Sequence, residues 1–145
     1  MKVSEPPVVV EQLFDCDVES VWHAITDLSQ MKQWYFKSIP DFKPIVGFRT
    51  AFEVHNEDRT FTHLWKVLEV IPMKKLVYNW KYKEYMGDSF VSFDLSKQMS
   101  KAKLIVTATV VEDFPDVIPE FKWESCKAGW NYFIKDELKA YLSNR

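Results

Sequence analysis

Glycine is nearly missing from this chain: there are three in 145 residues, at Gly47, Gly87 and Gly129. A phosphate-cradling loop needs several glycines in one short stretch, so nucleotide hydrolysis is excluded. The two cysteines, Cys16 and Cys126, have no CxxC or Cys/His spacing. That argues against a disulfide scaffold and predicts a reducing, cytoplasmic setting. Three scattered histidines, His23, His55 and His63, with no HExxH motif, offer no metal-ligand pattern, and neither a metal nor any other cofactor is expected. No GxSxG element is present to carry a serine nucleophile. Net charge is also scarce, because 19 basic and 21 acidic side chains leave −2, too balanced for a nucleic-acid partner. No apolar run approaches the length of a membrane span, and the first seven residues lack an apolar signal core, so a soluble intracellular protein is expected.

What the chain has instead is aromatic bulk. Eleven Phe, six Tyr and six Trp make 16% of the residues, within a hydrophobic content of 47%. A chain of this length folds as one domain and buries roughly 70% of its unfolded surface without staples. We read residues 1–145 as a single domain with 1–7 as an N-terminal tail. Residues 74–103 carry seven lysines against Glu84, Asp88 and Asp94. Such lysines ordinarily keep strand edges soluble; the functional alternative is a docking patch for an acidic partner.

Alternation of Val8, Val10, Gln12 and Phe14 predicts a first strand. Asp17 is placed to cap a helix whose apolar positions are Val18, Val21, Trp22, Ile25 and Leu28, with Glu19 favoured in the first turn. Ser29 is expected to restart a short helix, Gln30 to Trp34, and Pro40 and Pro44 mark a loop. Strands are predicted at about 48–55, 60–71, 75–83, 89–96 and 102–111, with connections short enough for a meander. A long final helix is expected from Pro119 or Glu120 to about Leu142, its stripe formed by Trp123, Cys126, Trp130, Phe133, Ile134, Leu138 and Tyr141. Gly129 within it suggests that something packs close to the helix backbone.

This order of elements is that of the α+β helix-grip fold, and particular residues add to it. Phe14-Asp15-Cys16-Asp17-Val18-Glu19-Ser20-Val21-Trp22, then Thr26-Asp27 and Trp34, resemble the opening of the activator of heat-shock-protein-90 ATPase homologue family. That family belongs to the START-like (Bet v 1-like, SRPBCC) superfamily. Val67, Glu69, Val70 and Pro72, followed by Leu76-Val77-Tyr78 and Trp80, resemble its strand-turn-strand signature, and Gly129-Trp130 its last helix. The sequence departs from the pattern at Val46-Gly47, at Lys97-Gln98-Met99-Ser100, and at Trp65, where relatives often have glycine. The resemblance implies a curved sheet of about six strands wrapped on the terminal helix. It also implies a cavity between them and, as a second reading, a chaperone as partner.

Residues two apart on a strand share a face. Leu76, Tyr78, Trp80 and Tyr82 therefore form one row, expected to look inward with Phe52, Val54, Phe61, His63, Trp65, Val67, Val91, Phe93, Leu95, Leu104, Val106 and Ala108. Gln12, His63, Tyr78 and Tyr82 would be polar groups among apolar walls. The candidate ligand-binding residues are Phe52, His63, Trp65, Tyr78, Trp80, Phe93, Trp123, Trp130 and Phe133, with no catalytic or metal-binding set. The leading expectation is non-catalytic binding of a hydrophobic small molecule. The rivals are a chaperone-interaction module and a cyclase- or hydrolase-like enzyme, which would need His63, Tyr78 and Glu53 or Gln12 to converge on one open pocket. Otherwise Glu53 and Glu69 read as salt-bridge partners, His23 and His55 as surface residues, and Asp27 as a cap or loop residue. Ligand identity and oligomeric state stay open.

Overall fold

The computed structural model describes residues 1–144. Strand β1 (Val8–Phe14) buries Val8, Val10 and Phe14, as its alternation requires. Helices α1 (Val18–Thr26) and α2 (Leu28–Trp34) follow. The Asp17 carboxylate accepts the Ser20 backbone N–H at 2.8 Å, which satisfies one of the donors left free at a helix start. The helix break falls two residues earlier than expected, at Asp27 rather than Ser29. Asp27 is extended (φ −90°, ψ 122°) and serves both helices: its N–H donates to His23, while its carbonyl accepts from Gln30 and Met31. Its carboxylate takes the Ser29 hydroxyl at 2.8 Å.

Strands β2 (Arg49–Asn56), β3 (Arg59–Ile71), β4 (Lys75–Tyr82), β5 (Asp88–Gln98) and β6 (Lys101–Glu112) complete an antiparallel sheet of order β1-β6-β5-β4-β3-β2. Glu57, Met73 and Met99 turn three of the hairpins in the left-handed region, at φ 57°, 67° and 58°. A bulge at Leu68 shifts the β3–β4 register between Val67 and Glu69. Leu68 is exposed, and Val70 comes back to face the buried Leu76.

The end of the chain differs from one uninterrupted helix. Pro119–Phe121 form a single 3-10 turn, Lys122 is extended (φ −72°, ψ 148°), and α3 begins only at Trp123. The turn lets Phe121 drop into a small cluster with Phe61 and Phe114, apart from the main core. Helix α3 (Trp123–Asn131) passes into a π-helical stretch (Tyr132–Leu138) and then α4 (Lys139–Ser143). The wider π turn turns both Phe133 and Ile134 toward the core.

Gly129 does not mark a close approach, contrary to expectation: a Cβ there would meet nothing within 4 Å. The constrained glycine is Gly87, with φ +115° and the Phe114 ring atoms 2.6 and 2.8 Å from where a Cβ would stand. The first seven residues are pinned: the Phe114 N–H donates to Met1 at 3.0 Å, and the Val3 N–H to the Asp113 carboxylate at 2.6 Å.

Candidate functional site: an aromatic box under the terminal helix

Strand parity delivers one wall. Trp65 on β3 and Trp80 on β4 are register partners with ring centroids 5.1 Å apart, and Tyr78 lies 4.6 Å from Trp65. The terminal helix supplies the facing wall: Trp130 meets Trp80 at 5.6 Å and Phe93 at 5.8 Å. Phe133 completes it, 6.3 Å from Trp130. Phe52 stacks on His63 at 4.8 Å and closes the side beside β2.

The middle of the box is occupied by the chain itself. Directly after α2, Tyr35 and Phe36 enter it. The Tyr35 ring lies flat on Trp34 (4.5 Å, 7°) and on Trp65 (5.5 Å, 28°), with Phe133 edge-on at 5.0 Å. Its hydroxyl shares a 2.8 Å hydrogen bond with the Tyr78 hydroxyl. Phe36 sits 4.9 Å from both His63 and Phe133 and 5.2 Å from Phe52. Neither residue was expected here. The available signal was the run Trp34-Tyr35-Phe36, since three successive aromatics in a connection are costly to leave in water. Beside Trp80 and Trp130 a pocket of about 50 Å³ is left, lined by residues that also include Met1, Phe114 and Cys126. Organic ligands occupy sites of about 300–1,000 Å³.

Burial sets the protonation of the lining. Desolvation raises Tyr35 well above the ordinary phenol range, helped by Tyr78, and it raises Tyr78 too, against the opposing hydrogen bond from Tyr35. His63 is pushed down to about 4 by desolvation, with its Nδ1–H donated to the Phe61 carbonyl at 3.0 Å. Burial pushes the Cys126 thiol up to about 11, so it is neutral and unreactive as a nucleophile. The Trp34 and Trp80 indoles donate to the Ala24 carbonyl and the Tyr82 hydroxyl, each at 2.8 Å. The Trp65 Nε1–H is buried and has no acceptor among the described residues.

Of the nine candidate residues, Phe52, His63, Trp65, Tyr78, Trp80, Phe93, Trp130 and Phe133 are brought together. Trp123 lies at the margin: half-buried against the core, it opens α3 and donates its indole N–H to Pro6 at 2.8 Å, anchoring the N-terminal segment. Gln12 also fails to reach the interior, because its amide turns to the Leu13 carbonyl at the half-exposed sheet edge. Tyr82 joins the smaller cluster beside Phe61 and Phe121. Glu53 is on the outside, 3.4 Å from His55, and Glu69 pairs with Lys75 at 3.8 Å. The convergence of His63, Tyr78 and Glu53 or Gln12 that an acid–base site would need is therefore not formed. Among the described residues no group of three His, Cys, Asp or Glu side chains could hold a metal, and no helix is long and apolar enough to cross a membrane. The lysine-rich stretch is partly neutralised within the chain, Lys75 by Glu69 and Lys103 by Glu11.

A six-stranded antiparallel sheet gripping a terminal helix over an aromatic interior defines the START-like, helix-grip class. Within it, the chain belongs to the family described as Activator of Hsp90 ATPase homolog 1-like protein, whose model matches residues 15–143. No curated protein matches the chain. Solved structures that resemble it include protein MLL2253 of Mesorhizobium loti, 26% identical over 95% of this chain and 97% of that one, with a TM-score of 0.74. A protein of the dynemicin biosynthetic locus, DynU16, is 22% identical over 96% of this chain (TM-score 0.77). This chain spans about half of its length, 48%. The Aha1 dimer of Colwellia psychrerythraea is 18% identical, covering 95% of this chain and 96% of its own, with a TM-score of 0.73.

Proposed function

We propose that the protein binds an apolar or aromatic small molecule beneath the terminal helix, without chemistry, and that Tyr35 and Phe36 occupy the site until the ligand displaces them. The observation that carries this reading is the composition of the interior. Eight of the predicted lining residues meet around two rings delivered by a connecting segment, not by the sheet or the terminal helix. A segment after a short helix can be withdrawn while the strands stay paired, whereas Trp65 or Trp80 cannot leave without breaking the sheet. Displacing two rings exposes apolar surface, so affinity is the ligand's burial less that cost.

The test is a titration with the neutral probe N-phenyl-1-naphthylamine, followed by its own emission, on the wild type and on Tyr35→Ala. Saturable binding is expected in both, tighter in Tyr35→Ala, where part of the site is already vacant. Failure of the probe to bind either protein would sink the reading. A second reading, docking to a chaperone, is supported by the family's description; co-purification and ATPase assays with the chaperone of the same source test it, and absence of binding at micromolar concentrations rejects it.

A further inference from the structure

The polar groups of the box are satisfied with a single exception. Tyr35 and Tyr78 bond to each other, and His63, Trp34 and Trp80 each have an acceptor. Trp65 Nε1, on a residue only 2% exposed, is the buried side-chain polar atom left without a partner among the described residues. An unpaired buried donor has given up its hydrogen bond to water and gained none in return, so an acceptor placed there is favoured. The rings packed on that indole belong to Tyr35, Phe36, Phe52, Tyr78 and Trp80, at 4.6 to 6.1 Å. None of them can neutralise a charge.

Tyr35 itself shows what the box accommodates. It presents a planar, neutral hydroxyaryl group held between two indoles, with its oxygen hydrogen-bonded to Tyr78. Resting on the reading above, we propose that the ligand is a neutral planar aromatic carrying an oxygen acceptor, a phenol or an aryl ketone, which replaces the Tyr35 ring and accepts the Trp65 N–H. A hydrocarbon would leave that donor unpaired. A carboxylate would be desolvated with no counter-charge, and a cation would meet the positive end of the N–H dipole.

The experiment compares 2-naphthol, naphthalene and 2-naphthoate, each titrated into the full chain by calorimetry, with the indole N–H resonances followed in 1H–15N spectra. 2-Naphthol is expected to bind about tenfold tighter than naphthalene and to move the Trp65 indole resonance downfield, while 2-naphthoate does not saturate. Trp65→Phe should bring 2-naphthol and naphthalene to within about twofold of each other, the donor being gone. Equal wild-type affinities for 2-naphthol and naphthalene, an unmoved Trp65 resonance, or preferred binding of the carboxylate would overturn the inference, and none of these readouts depends on the variant. If naphthalene binds as well as 2-naphthol, only the assignment of the acceptor fails. If none of the three binds to the wild type or to Tyr35→Ala, the small-molecule reading fails with it.

Discussion

Trp80 of the fourth strand and Trp130 of the terminal helix meet edge to face, 5.6 Å between centroids and 67° between planes. The contact joins sheet to helix across the concave side, and the Tyr35 ring lies 6.5 Å from the first and 6.1 Å from the second. What fills the hollow is therefore a residue whose own support comes from α2.

The Tyr35–Tyr78 hydroxyl pair should behave as a unit. Tyr35→Phe leaves the Tyr78 hydroxyl buried without a partner and should cost about 1–3 kcal/mol. The double variant Tyr35→Phe/Tyr78→Phe removes both polar groups and should recover most of that loss. Urea unfolding of the wild type, Tyr35→Phe, Tyr78→Phe and the double variant measures the coupling; additive losses would contradict the pairing.

His63 predicts a pH window. The folded protein holds the imidazole neutral, with its pKa lowered from 6.5 to about 4. Between those values the unfolded chain binds a proton that the folded chain does not. Stability contributed by the neutral ring is present above pH 6.5, falls as pH drops, and is lost once pH passes below about 4. A depression of this size corresponds to about 3 kcal/mol. His63→Phe should reduce the slope of stability against pH in that window by close to one proton, read from urea midpoints across the range. An unchanged slope would show that the ring titrates normally.

The two glycines should respond in opposite directions. Gly129→Ala introduces a Cβ into open space within a helix and should stabilise by about 0.5–1 kcal/mol. Gly87→Ala meets both a left-handed backbone and the Phe114 ring and should destabilise by more than that. Thermal unfolding of both variants decides the matter, and a loss of stability in Gly129→Ala would refute the open-space assignment.

Much of the sheet could be read from alternation alone, because period 2 assigns faces without reference to partners. The inward row Phe61, His63, Trp65 and Val67 and the opposing row Tyr78, Trp80 and Tyr82 lie where parity puts them. The Asp17 cap was equally visible, since a short carboxylate before an apolar helical stripe has a local hydrogen bond to make. Parity is silent where the backbone is irregular. Tyr35 and Phe36 belong to a connection, so no period could place them inside. The extended Lys122 and the π stretch from Tyr132 to Leu138 interrupt a helical pattern whose apolar spacing survives both, and so they leave no mark on it. Trp123 keeps its place on the stripe, half-buried against the core, yet its indole N–H turns to the Pro6 carbonyl, a contact no period on its own helix could show.

Occupancy of the Tyr35 position is the most direct test of the whole account. A crystal structure of the wild-type chain saturated with N-phenyl-1-naphthylamine should show the probe beneath the terminal helix, between Trp34 and Trp65, with the Tyr35 ring displaced and its bond to the Tyr78 hydroxyl broken. A probe bound on the outer face of the sheet, with Tyr35 still lying against Trp34 and Trp65, would contradict it.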